Sequence, residues 1–460
     1  MATRTRARTT DRQARNVLAR SRPPGIQLVR FLYCGNDGVI RGKACQADFL
    51  ASYLTSGIGI PVAMQSFNML DQLVPEGSFG AVGEIRLRPD PETFVVLPYA
   101  PKSARLLCDM VTLDGEPWAP CPRSFLKRMI ERARTIGFAM KASFENEFTL
   151  ARHEDGQFVP LDRSPCFSSI GLDSSGPVII DIVEALIAQG VQPEQCYAEL
   201  GPGQQEIPVR FADALRAADN QLTVRDTVRG VAGRHGLVAS FAPKPFPDQA
   251  GNGSHIHFSL WRTRDGANDF HAPSGHHALS KTALAFIGGV IAHASGLLAL
   301  TAASVNSYRR LQPRFWASAY TAWGPDNKEA TIRVPSKRRG IEMESTNLEL
   351  KPCDPSCNPY LALGGLLAAG LDGIERSLDP GEPLLVDPDT LSDADRQRRG
   401  IRRYPTSLAS ALDALERDEV LCAALGDGLA KEYLAVKRSE VRGFKDHDAK
   451  FEIDQHFLKY

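Results

Sequence analysis

Ser143-Phe-Glu-Asn-Glu-Phe148 sets two carboxylates on either side of a single asparagine, between aromatic neighbours. In an extended strand side chains alternate with period two, so Glu145 and Glu147 would project from one face while Phe144 and Phe148 turn to the other. Two carboxylates that close repel each other unless a cation lies between them. A solvated surface strand would tolerate the pair, whereas Phe144, Phe148 and Leu150 argue for burial of the opposite face. Alone, the stretch leaves metal binding and a plain surface strand equally open.

Two further polar stretches lie downstream. Glu199-Leu-Gly-Pro-Gly-Gln-Gln-Glu206 brackets a Gly-Pro-Gly turn with two carboxylates, and the turn could return both to one point. Gly251-Asn-Gly-Ser-His255-Ile-His257-Phe-Ser259 places His255, His257 and Ser259 on one strand face after a flexible glycine loop. Taken alone, the histidine pair reads as structural. The three stretches together supply Glu145, Glu147, Glu199, Glu206 and His255, a hard oxygen-rich donor set suited to Mg²⁺ or Mn²⁺ rather than to thiolate-loving metals.

The surrounding chain supplies the organisation. At 460 residues it exceeds one ordinary core, so a small and a large domain are expected. Residues 27–34, 38–45, 84–88 and 93–97 read as short strands of a small sheet domain covering 24–116. The prolines at 117, 120 and 122 mark the boundary, and Phe125, Met129, Ile130 and Ala133 then follow at helical spacing into a large domain, 117–460. There the pattern alternates strands (138–150, 196–210, 255–260) with helices (178–188, 212–235, 279–303), and 384–399 reads as a surface excursion. The helix 279–303 carries the most apolar stretch, but His293 and three glycines within 282–304 favour a buried core helix over a membrane span.

The 54 Lys and Arg balance 54 Asp and Glu, so no general electrostatic attraction to nucleic acid or an acidic membrane exists. Nine scattered cysteines without CxxC pairs fit a reducing cytoplasm, and Cys353 with Cys357 lacks the second ligand pair that zinc requires. Residues 1–23 carry seven arginines against Asp11 and no apolar core, which reads as a mobile or interface-bound arm; a mitochondrial presequence is the alternative.

In order along the chain, these stretches resemble the glutamine synthetase superfamily. SFENEF is similar to GxExEF, Glu199 to Glu206 to ExxPGQxE, and Gly251 to Leu260 to GNGxHxHxSL. Asn306-Ser-Tyr-Arg-Arg310-Leu resembles NSYKRL, Trp323 to Arg333 the NRxAxIR segment, and Leu348-Glu349-Leu-Lys351 with Asn358 to Leu363 the IEVR and NPYLAL motifs. The resemblance implies an α+β fold: a small β-grasp-like N-terminal domain and a large catalytic domain whose curved antiparallel sheet is flanked by helices. It implies Glu147, Glu199 and Glu206 as ligands of one divalent ion, and Glu145, His255 and Glu349 as ligands of a second. It further implies Arg310 on the substrate carboxylate, Gly251 along the bound amino acid, Arg333 on the transferring phosphate, and Phe211, His257 and Ser259 on the nucleotide. Lys328 stands where Arg is usual. The expected partners are glutamate, ATP and an amine, in a homo-oligomer of two hexameric rings.

Three departures qualify that reading. Trp316 stands where ammonia-using members carry an acid, and indole neither accepts a proton nor holds ammonium as an anion. A second acid, from the FDGSS motif, is missing at Met64-Gln-Ser-Phe-Asn68, with Asp71 out of register. Lys351 replaces an arginine. Ammonium is held chiefly by negative charge, whereas an organic amine can be held through its carbon skeleton by Trp316 or Phe315. The expected activity is therefore ATP-dependent γ-glutamylation of an amine larger than ammonia, through a γ-glutamyl phosphate. An ammonia-using glutamine synthetase and a noncatalytic relative are the alternatives. The segment 381–386 lacks the tyrosine adenylylated in some members, so that regulation is not expected.

Overall fold

The computed structural model describes residues 15–20 and 25–460. Of the expected basic arm, residues 1–14 and 21–23 lie outside the described residues; residues 15–20 are helical, with Val17 buried in the N-terminal core.

The first sheet joins β1 (Leu28–Cys34), β2 (Ile40–Gln46), β3 (Ile58–Pro61), β4 (Glu84–Pro89), β5 (Val95–Val96) and β6 (Ser103–Val111) in the order β2-β1-β6-β4-β3, with β5 on β6. Alternation in β1 turns Val29 and Phe31 inward. β1 and β6 run parallel, and the other pairs are antiparallel.

Helix Pro122–Thr135 opens the second part: proline sits in its first turn, and Phe125, Leu126, Met129 and Ala133 form its buried stripe. Two sheets follow. One joins β7 (Phe138–Phe144), β12 (Ala212–Asp213), β14 (Ile256–Arg262), β15 (Tyr320–Pro325), β16 (Ala330–Val334) and β17 (Leu348–Leu350) in the order β12-β7-β14-β17-β16-β15. The other joins β8 (Glu147–Glu154), β10 (Tyr197–Ala198), β11 (Gln204–Glu206) and β13 (Val238–Ser240) in the order β10-β11-β8-β13, with β9 (Gln157–Pro160) on β8. The α+β architecture with a large sheet-bearing second part is as expected, except that β15 and β16 pair in parallel.

Several elements differ from the sequence reading: the strand expected over 196–210 is two short strands, β10 and β11, the helix expected over 178–188 begins at Ser169, and two others are broken. The strand expected over 138–150 is broken: β7 ends at Phe144 in one sheet and β8 begins at Glu147 in the other. Asn146 makes the corner, its side-chain amide donating to the carbonyls of Phe144 and Ile207. The helix expected over 279–303 is two helices, Lys281–Ala292 and Ala294–Thr301, bent by 80°. His293 lies at the bend because both ring nitrogens find carboxylates, Asp418 at 2.8 Å and Asp372 at 3.0 Å. Among the described residues no single helix is long and apolar enough to cross a membrane.

Helix Pro359–Arg376 is apolar around most of its surface, as a central helix must be. Glycines permit its close approach to Lys281–Ala292: a Cβ on Gly289 would lie 2.2 Å from the Ala369 carbonyl, and one on Gly373 2.2 Å from that of Ala285.

Candidate active site

Cross-strand register assembles the site. In the β7-containing sheet, Ser143 pairs with His257, His257 with Glu349, and Glu349 with Arg333. Directly opposed residues share a face, so His257, Glu349 and Arg333 project together, and period two adds His255 and Lys351. In the neighbouring sheet Glu147 opposes Glu206, which opposes Tyr197. The Asn146 corner delivers Glu145 and Glu147 to one place from the ends of different sheets.

Glu145 bridges the two histidines, with Oε2 2.9 Å from His255 Nδ1 and Oε1 2.9 Å from His257 Nε2. Glu349 is fully buried, 3.5 Å from His255 and 3.3 Å from Lys351 Nζ, and ion-paired with Arg333. Donor atoms of Glu145, His255 and Glu349 all lie within 4.8 Å of one another. Burial and the Lys351 charge depress His255 to about 4, leaving it neutral as a metal ligand must be. Burial opposes protonation of His257, but Glu145 and Glu349 outweigh it and lift the ring to about 9.

Glu147 accepts from Gln204 Nε2 at 2.9 Å and Gly253 N at 2.8 Å through one oxygen, and its other oxygen lies 3.9 Å from His255. Glu206 accepts from the Tyr197 hydroxyl at 2.6 Å, and Glu199 from the Leu200 amide at 3.0 Å. Burial, reinforced by neighbouring carboxylates, raises the pKa of Glu199 and Glu206; burial also raises Glu147 against the pull of Arg310. A buried acidic cluster so penalised is relieved by a hard cation, and both donor sets fit Mg²⁺ or Mn²⁺ in chemistry.

Of the remaining expected residues, Arg310 and Gly251 reach this cluster. Arg310 is buried, with Nη2 donating to His255 Nε2 at 2.9 Å and Nη1 reaching the Cys353 carbonyl at 3.3 Å. The Gly251 carbonyl accepts from Gln204 at 3.0 Å. Phe211, 44% exposed, lies near-parallel to Trp261, with Lys141 over both rings, and Trp261 donates to Ser259 at 2.9 Å. This shelf lies on the strands carrying His257 and Ser259.

Trp316 is 59% exposed, but Lys328 Nζ already stands 4.6 Å over its ring, and Lys244 Nζ stands 4.7 Å over Phe315. The aromatic faces expected to receive a cationic amine thus already carry lysines. The charge of the same Lys328 also acts on Glu199. Asp71 pairs with Arg41 at 2.8 Å.

The sequence reading gave no role to Gly253, Gln204, Tyr197 or Glu329. A Cβ on Gly253 would lie 2.5 Å from Arg310 Nη2 and 2.9 Å from Glu147 and His255, so only glycine leaves this centre open. Its signal was available as the second glycine of Gly251-Asn-Gly253. Glu329 carried none, lying in an ordinary polar turn.

A sequence profile for the glutamine synthetase catalytic domain matches residues 119–456, and one for the glutamine synthetase N-terminal domain matches 13–118. The chain is 41% identical over 389 residues to a glutamine synthetase of Thermus thermophilus, covering 82% of this chain and 85% of that one. It is 36% identical over 429 residues to the gamma-glutamylpolyamine synthetase GlnA3 of Streptomyces coelicolor, covering 92% of each. Among solved structures, GmaS in complex with ADP superposes with a TM-score of 0.82 at 34% identity, covering 95% of this chain and 98% of that one.

Proposed function

The chain belongs to the glutamine synthetase family of ATP-dependent carbon–nitrogen ligases, and on that premise we propose that it joins glutamate to an organic amine as a γ-glutamyl amide. One observation carries the reading: position 316, where the family pattern has an acid in ammonia-using members, holds an exposed tryptophan under the same lysine whose charge acts on Glu199. The likeness to GlnA3 supports it, since that relative is named for a polyamine product.

In this reading Glu147, Glu199 and Glu206 hold one divalent ion, Mg²⁺ or Mn²⁺, and Glu145, His255 and Glu349 a second. Ions held there would orient glutamate and would neutralise charge on the ATP phosphates. Arg310 takes the substrate carboxylate, with Lys351 beside it, and Gly251 lies along the amino acid. Arg333 and Lys328 face phosphate, while Phe211, His257 and Ser259 hold the nucleotide. The γ-carboxylate oxygen attacks the γ-phosphorus and ADP departs; the amine nitrogen then attacks the acyl carbon of γ-glutamyl phosphate and phosphate departs. A neutral aromatic amine needs no prior deprotonation, whereas an aliphatic amine, of pKa about 10 by analogy with lysine, does. With Lys328 over the indole, Trp316 favours apolar contact with the amine's carbon skeleton. The working unit is a cytoplasmic homo-oligomer, two stacked hexameric rings, without nucleic acid or membrane as partner.

The Thermus thermophilus relative favours a second reading, an ammonia-using glutamine synthetase. A noncatalytic relative is disfavoured by the retained donor set. ADP release with glutamate and ammonium, monoamines, polyamines or anilines tests the proposal: the highest kcat/KM should fall to an organic amine, and ammonium as the best substrate would sink it.

A further inference from the structure

Trp316 does not hold its place unaided. Arg314, Trp316 and Ser318 have φ of 65°, 53° and 64°, a left-handed conformation that residues with a Cβ rarely adopt, repeated at alternate positions. Such a turn persists only where surrounding contacts fix it. The Trp316 amide donates to Glu329 Oε1 at 2.7 Å, which ties the carboxylate to the middle of the turn. Glu329 is only 6% exposed. Its own amide donates to Asn327 Oδ1 at 3.0 Å, and the Asn327 side chain in turn donates to the carbonyls of Leu384 and Val386. Outside the turn, Asp389 holds the Arg314 guanidinium at 2.9 Å. Lys351, which contacts His255 and Glu349, and Asp387 are the charges facing Glu329.

We propose that Glu329 is the positioning residue of the amine-selecting turn: its carboxylate fastens the backbone of Arg314 to Ser318 so that Trp316 is held in place. This rests on the reading of Trp316 as the amine-side residue. A carboxylate occupied by a backbone donor of the turn acts on the reaction through that turn.

The test compares full-length wild type, Glu329→Ala and Glu329→Gln in two measurements, steady-state kinetics with Mg-ATP, glutamate and the best amine, and tryptic cleavage after Arg314. Loss of a charge-assisted hydrogen bond should raise the amine KM of Glu329→Ala about tenfold, with kcat and the ATP KM within about twofold, and speed cleavage by a similar factor. Glu329→Gln keeps an amide oxygen for the Trp316 N–H and should stay within about threefold of wild type in both. Should Glu329→Ala fail to fold, Glu329→Asp withdraws the acceptor by one methylene and should loosen the turn likewise. Wild-type cleavage and amine KM in the shortened variant would overturn the inference. So would a Glu329→Gln protein as impaired as the alanine variant with a displaced pH profile, since that assigns the role to charge. The tryptic rate does not depend on the amine, so ammonium as best substrate would end the proposed function while the turn is still decided by proteolysis.

Discussion

Glu349 connects most of the charged groups in the centre. It is fully buried and faces His255, His257, Arg333 and Lys351, and the charges of Lys351 and His257 overcome burial to hold its pKa below the ordinary carboxylate value. Changing it to glutamine removes a ligand charge while conserving volume. Supporting residues around metal ligands cost 10–100-fold when lost, so Glu349→Gln should lower kcat/KM by about a hundredfold or more. It should also lose most of the thermal stabilisation that Mn²⁺ gives the wild type, on the order of a few degrees. An unchanged Mn²⁺ titration would contradict its role as a ligand. Period two put Glu145 with Glu147 and His255 with His257 on common faces before any coordinates, whereas Glu349 was legible only through the family resemblance. Glu329 was not legible: its contact is with the amide of Trp316, thirteen residues upstream, and nothing in Asn327-Lys-Glu329 announces that partnership.

At the scale of elements, the bend at His293 links three helices. Its ring contacts Asp418 and Asp372, and Arg376 shares Asp372 at 3.0 Å. Burial opposes the charged imidazole, but the two carboxylates prevail and raise its pKa above the ordinary 6.5. The folded protein therefore binds this proton more tightly than the unfolded chain. Its contribution is complete below about pH 6.5 and is lost as pH rises through the higher folded value. In urea titrations the stability gap between wild type and His293→Gln should accordingly be wide near pH 6 and narrower near pH 9; a gap that widens with pH would refute the assignment. Sequence pattern found the apolar helical stretch 279–303 but named no helix over Pro359–Arg376, and it missed this break because the carboxylates that stabilise it come from residues 372 and 418. The Asn146 corner escaped for a similar reason. Phe138 to Leu150 is strand-forming throughout, and only the partner strands, β14 on one side and β11 with β13 on the other, reveal that it serves two sheets.

Across the whole molecule, the N-terminal domain is fastened to the penultimate helix Asp427–Lys445 by buried polar contacts. Glu432 accepts from Ser66 and from the Ser78 amide, Glu440 accepts from the Met69 amide, and Lys437 donates to the Asp37 carbonyl. The segment Met64 to Asn68, where the resemblance leads one to expect a second acid, is thereby fixed to its own chain, and Asp71 is engaged by Arg41. On the proposed reading, the carboxylate-activating half of the site keeps the family's motif residues, while the half that would receive ammonium carries Trp316, with Glu329 buried beneath the turn. The most direct test is one reaction holding glutamate, Mg-ATP and equal concentrations of ammonium and the best organic amine, with products resolved by mass spectrometry. The γ-glutamyl amide should exceed glutamine by about tenfold or more, the discrimination expected from a few apolar contacts; glutamine as the principal product would contradict the account.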